Sequence, residues 1–151
     1  MRVAGPWLLV VLLGAAAWWS LGGGGATGEA DLGGVWTGTL AEAQEASSAS
    51  GRPVLVYVTA DWCGPCRAFK SNVLSDPAVH AALGAGATPL LVDADAPGDA
   101  AGLVSSLGVR AIPHVQFVGP NGEAGASFGA SGLSEASSFV AWLEAHGKTA
   151  E

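Results

Sequence analysis

The sequence predicts an α/β domain in three layers, a central mixed β-sheet with helices on both faces. Two apolar runs, residues 54–58 and 88–93, lack the polar alternation of half-exposed strands and suit strands buried on both sides. Helical patterns separate them, and strands alternating with helices need a sheet covered on two faces. A late pair of short strands around Asn121-Gly122 adds an antiparallel edge.

Thr39, with Glu42 three residues on, forms a capping-box pattern that opens a helix. Leu40, Ala43 and Ala46 mark its apolar side, and the run from Ser47 to Gly51 ends it. The first strand follows, bounded by Pro53 and by the turn-like Ala60-Asp61. A helix starts near Cys63 and runs to about Leu74, turning Cys66, Phe69, Val73 and Leu74 toward the sheet. Asp76-Pro77 opens a short helix with proline in its favoured first turn and Val79 and Leu83 buried. After the second strand, residues 97–107 read as a helix ended by Gly108. Residues 114–118 form a strand, 120–123 a hairpin turn, and 126–128 the partner strand. Ser134 caps a last helix with Phe139, Val140 and Leu143 on one face and Gly147 beyond its end. Right-handed crossovers between parallel strands restrict the topology further.

A chain of 151 residues suits one such domain, at 39–147, with an attached segment. Residues 1–25 carry Arg2, a long apolar stretch with Trp18 and Trp19, and then Gly22 to Gly25. They are read as a signal peptide or an N-terminal membrane anchor, with cleavage feasible after Ala17 or Gly22. The two alternatives stay open, and residues 26–38 are a flexible linker. Lys and Arg total 6 against 13 Asp and Glu, a net charge of -7 that offers nucleic-acid phosphates little attraction. Nucleic acid is not an expected partner.

Trp62-Cys63-Gly64-Pro65-Cys66 stands where a buried strand hands over to a helix. Two residues between cysteines on a helical turn let the sulfurs meet with little backbone movement. Cys63 at the helix start gains from unpaired N–H groups and the positive dipole end, which lower a thiol pKa from about 8.5 toward roughly 3.5–7.5. It is expected to be the open, attacking cysteine; Cys66, one turn inside, is expected to be sheltered and to resolve the mixed disulfide. Gly64 lets a partner chain approach, Pro65 stiffens the turn, and Trp62 forms a rim against a bound partner. A structural bridge would close too small a loop to stabilise much. Zinc would need about four ligands, and His80, His114 and His146 lack the spacing to complete a set. No cofactor or metal is expected. Ile112-Pro113 precedes a strand, and the residues leave its peptide bond open between cis and trans. His114 reads as a strand-edge residue rather than a proton carrier.

These features resemble the thioredoxin superfamily. The resemblance rests on Ala60-Asp61-Trp62-Cys63-Gly64-Pro65-Cys66 after a buried strand, on Ile112-Pro113 downstream, and on the Asn121-Gly122 turn; it covers about residues 50–147. The helix before the strand and the Ser75-Asp76-Pro77 link are most similar to the thioredoxin-like C-terminal domain of the bacterial transmembrane disulfide reductase DsbD. The resemblance implies a thioredoxin-like fold, Cys63 as nucleophile, Cys66 as resolver, and a cis Pro113 that, with Ile112, faces substrate and keeps metals from the thiols. Three positions depart from the pattern. Tyr57 stands where relatives carry a buried aspartate, Lys70 where the reductase domain has an acid, and Ile112 where a threonine or valine is usual. Deprotonation of Cys66 is therefore expected to use water or a partner group.

The expected function is an extracytoplasmic thiol–disulfide oxidoreductase that reduces protein disulfides or relays electrons. Its partners would be protein thiols and disulfides and a membrane-embedded electron donor, in the bacterial periplasm, soluble or attached through the N-terminal segment. Alternatives are a disulfide oxidase, delivery of electrons to a cytochrome-maturation or metal-handling pathway, and a non-catalytic holdase or assembly factor using the same groove.

Overall fold

The structure, a computed structural model, describes Trp36, residues 38–119 and residues 122–147. The expected signal or anchor at 1–25, most of the linker, and Pro120 and Asn121 of the hairpin lie outside the described residues.

Leu40–Ser50 forms α1. The Thr39 hydroxyl oxygen accepts from the Glu42 N–H at 3.2 Å, and the hydroxyl donates to Glu42 Oε2 at 2.8 Å. Gly51 ends the helix at φ 69°, a left-handed position that favours glycine, and its N–H closes on the Ser47 carbonyl. The chain then enters β1, Val54–Thr59, buried at every residue. Helix α2 spans Gly64–Phe69 and runs on as a π-helical turn, Lys70–Leu74. There the Ser75 N–H reaches back five residues to the Lys70 carbonyl at 3.0 Å. Widening the turn keeps Phe69, Val73 and Leu74 all inside the core.

Helix α3, Pro77–Gly86, is capped by Asp76, whose carboxylate accepts from the Ala78 N–H at 2.7 Å. Strand β2 is Thr88–Asp93, helix α4 Asp99–Ser106, strands β3 and β4 His114–Val118 and Ala124–Phe128, and helix α5 Ala136–His146. The strand order is β2-β1-β3-β4, with β1 parallel to β2 and antiparallel to β3, and β4 antiparallel to β3 at the edge. This is the mixed, helix-covered sheet that the sequence predicts.

Strand β1 runs one residue past the expected 54–58, to Thr59, and three other differences have a local cause. Helix α4 begins at Asp99 rather than residue 97, because Gly98 takes φ 74° and occupies the cap. Strand β4 begins at Ala124 rather than Ala126, since Ala124 pairs with Val118 across a bulge. Ser134 does not cap α5. Its hydroxyl oxygen accepts from the Ser131 N–H at 3.0 Å, and Glu135 takes the cap position.

Alternation along β1 divides the core. Leu55 and Tyr57 point to one face with Phe69, Val73, Leu74, Val79, Leu83, Phe117, Phe139 and Leu143. Val54, Val56 and Val58 point to the other, with Ala43, Leu90, Val92, Leu103 and Leu107. A strand packed on both faces cannot show polar alternation, which accounts for its uninterrupted apolar run.

Candidate active site

Parallel pairing of β1 and β2 sets Thr59 opposite Asp93, so both strands end at the same rim of the sheet. The loops that follow them therefore lie side by side, and the Ala94 N–H donates to the Thr59 carbonyl at 2.8 Å. Cys63 lies in the first loop, as the N-cap of α2. Its sulfur accepts from the Cys66 N–H at 3.2 Å. The two sulfurs are bonded at 1.98 Å, with Cα atoms 5.2 Å apart. A Cys-x-x-Cys spacing on a first helical turn thus brings the sulfurs together.

The surroundings of the pair divide sharply. Cys66 is fully buried. Cys63, expected to be open, is only 3 % exposed, because Ala60, Ala94 and Ile112 close around the pair. Trp62 is 68 % exposed, which rules out a core role for its ring. Its indole N–H donates to Asp95 Oδ2 at 2.6 Å, a short bond to a side-chain carboxyl oxygen. On the other side, the Arg67 guanidinium donates to the Asp61 carbonyl at 2.7 Å. Gly64 is exposed and a Cβ there would meet little beyond the Arg67 guanidinium at 3.9 Å, so the surface above the helix start is bare. Pro65 sits in the first helical turn, and the loop at Gly132 lies against it closely enough that a Cβ on Gly132 would stand 3.4 Å from Pro65 Cα.

The Ile112–Pro113 peptide bond is cis. It lies just before β3, and Ile112 packs against the cluster of Ala60, Cys63 and Cys66, so the structure brings Trp62, Cys63, Cys66 and Ile112 to one rim. His114 contributes to a different network, its Nε2 lying 3.0 Å from Gln116 Oε1.

Tyr57 runs beneath the helix that carries the cysteines. Its hydroxyl donates to the Cys66 carbonyl at 3.2 Å, not to a sulfur. Burial pushes the phenol up to about 12; the Thr59 hydroxyl, close by but without a well-formed hydrogen bond, pulls weakly the other way. A phenol this resistant to ionisation is no proton acceptor near neutral pH. Among the described residues, no three His, Cys, Asp or Glu side chains gather where they could hold a metal ion.

Asp95 and Ala94 were not legible as site residues. The signal available was indirect: loops following two adjacent parallel strands share one end of the sheet, where α/β folds place their sites. Reading Asp95 against Trp62 requires knowing that β1 and β2 are neighbours.

A family model described as thioredoxin-like matches residues 35–120. The thiol:disulfide interchange protein DsbD of Salmonella typhimurium is 35 % identical over 103 residues, covering 66 % of this chain and 18 % of that protein. The chain thus spans less than a fifth of the length of the curated relatives it matches. The oxidised DsbD C-terminal domain of Neisseria meningitidis superposes with a TM-score of 0.59 at 25 % identity, covering 70 % of this chain and 90 % of that one. The fold is also that of a DsbH oxidoreductase, with a TM-score of 0.64, 20 % identity, and coverage of 73 % and 81 %. With its Cys-x-x-Cys pair joined at the head of a helix in this fold, the chain belongs to the thioredoxin-like family.

Proposed function

We propose that the chain works outside the cytoplasm, in a bacterial periplasm, reducing protein disulfides or relaying electrons through Cys63 and Cys66. The observation that carries this reading is the disulfide itself, closed across one helical turn with the Cys66 N–H directed at the Cys63 sulfur. In the reduced form that N–H and the helix start favour a thiolate at Cys63.

The Cys63 thiolate attacks one sulfur of a client disulfide; a Cys63–client bond forms, and the second client sulfur leaves as a thiolate that takes a proton. Cys66 then loses its proton and attacks the Cys63 sulfur. The Cys63–Cys66 bond forms and the first client sulfur is released, so two electrons have passed to the client. Tyr57 cannot take the proton from Cys66, which leaves through water or a group of the partner. Trp62, Gly64, Pro65, Ile112 and Pro113 form the rim on which the client chain lies. A dithiol donor embedded in the membrane returns the electrons, and residues 1–25 export the domain or tether it near that donor; residues 39–147 are the working domain. The relatives named for thiol–disulfide interchange and the export-like start of the chain support this placement.

Cys63→Ser is expected to lower insulin-disulfide reduction by at least about a hundredfold, because the attacking atom is gone. Full activity in that variant would sink the reading. The reduction potential of the couple gives the direction: a reductant falls near or below about −250 mV, whereas a value near about −120 mV would make the protein an oxidant.

A further inference from the structure

We infer that Asp95 is a positioning residue that governs access to the disulfide, by tying Trp62 and the loop after β2 into a cover over Cys63. The inference rests on the thiol–disulfide reading above and extends it to how the sulfur is reached.

Cys63 follows a largely exposed residue, yet it is almost sealed. On the β2 side Ala94 packs against the small cluster formed by Ala60, Cys63 and Cys66. Ala94 is held from both directions. Its own N–H is tied to the end of β1 at 2.8 Å. The next residue, Asp95, receives the Trp62 indole N–H at 2.6 Å, while its backbone N–H donates to Asp93 Oδ1 at 2.9 Å. The Ala96 N–H closes the same turn on the Asp93 carbonyl at 3.2 Å. The Trp62–Asp95 bond is a side-chain link that joins the loop bearing Cys63 to the loop bearing Ala94. Both partners are exposed, so this link exchanges with water far more readily than the backbone bonds beneath it. An incoming chain that offers its own acceptor to the indole, or packs on its ring, releases Asp95 and opens the way to Cys63. Reagents that make no such contact must wait for spontaneous opening.

The test is stoichiometric reduction of the oxidised full chain by dithiothreitol, followed by thiol titration. It reads access without depending on catalytic turnover, so its failure is separable from failure of the functional reading. Asp95→Ala is expected to speed reduction about fivefold, the rate equivalent of one hydrogen bond of ordinary net strength. Trp62→Phe keeps a ring but removes the N–H, and is expected to give a similar gain. The two changes are expected to be non-additive, with the double variant no faster than either single one. Asp95→Asn retains an acceptor oxygen and is expected to return the rate to within about twofold of the parent. An unchanged rate in Asp95→Ala, or independent and multiplicative effects of the two variants, overturns the proposal. A melting curve for each variant identifies any gain that comes from general loosening, and such a gain would count against it too.

Discussion

On the face of the sheet that carries α2, α3 and α5, rings rest on rings: Tyr57 lies 5.6 Å from Phe69, Phe69 5.6 Å from Phe139, and Phe139 5.0 Å from Phe128. Trp142 closes the layer, stacked 5.0 Å from Phe117. On the opposite face, under α1 and α4, the filling is aliphatic: Val54, Val56, Val58, Leu90, Val92 and Leu103. The helix that presents the cysteines is thus laid on large, stiff side chains with few rotamers, and the π turn allows three of its residues to enter that layer. The other face contributes the loop that covers the sulfurs, where softer support suits a part that must yield. Rigid backing and a movable cover have been divided between the two sides of one strand.

Breaking the aromatic layer is expected to have the largest effect. Phe69→Ala removes a fully buried ring that touches three others, and should cost about 3–5 kcal/mol. Val56→Ala, fully buried on the aliphatic face, should cost about 1–2 kcal/mol. Urea denaturation with an unchanged slope measures both. Equal losses would mean that the faces do not differ in the way described.

Tyr57 sharpens the comparison, because it is the polar member of the aromatic layer. Replacing it by phenylalanine removes the hydrogen bond to the Cys66 carbonyl, at a cost of about 1 kcal/mol near neutral pH. Its pH dependence has a definite sign. The folded-state value is raised to about 12 from 10.0, so the folded form holds this proton more tightly than the unfolded chain. The resulting stability is complete below pH 10, declines as pH rises from 10 to 12, and is lost above. The parent should therefore lose about 2 kcal/mol across that window, while Tyr57→Phe stays flat there and overtakes it at the alkaline end. The chain has a single tyrosine, so absorbance of the phenolate reports this group alone. Titration near 10 in the folded protein would show that the ring is not desolvated as described.

How much of this was legible follows from how local each signal is. The bounds of β2 and β3 could be read to the residue, since an apolar run flanked by turn residues is a local pattern. The Thr39 cap and the dithiol were equally local. The start of α4 was displaced because Gly98 adopts a left-handed conformation that only its surroundings select. Ser134 was misassigned because two serines three residues apart compete for the same turn, and the composition does not show which prevails. The π turn was not visible, as Cys66, Phe69, Val73 and Leu74 fit an ordinary helix face equally well. At the site, the sulfurs and their rim were within reach of a motif, while the cover over Cys63 was not. Ala94 and Asp95 meet Cys63 and Trp62 only through the pairing of two strands more than thirty residues apart.

The smallest effect belongs to α1, and it bears on how lightly the aliphatic face is held. Ala43 is the buried residue of that helix, with Leu40 packed alongside, so α1 contributes little apolar area to the core. A helix of 11 residues with so narrow an apolar stripe has marginal stability of its own, and its ends carry an unusual share of it. Thr39→Ala deletes the acceptor of the Glu42 N–H and the donor to Glu42 Oε2 together, and is expected to cost about 1 kcal/mol. Because α1 packs on the face of the sheet opposite α2, amide exchange should quicken in residues 40–50 while exchange in α2 stays at its parent rate. Equal acceleration in both helices would mean that the two faces rise and fall as one unit, and that the softness assigned to the covering side is shared by the backing.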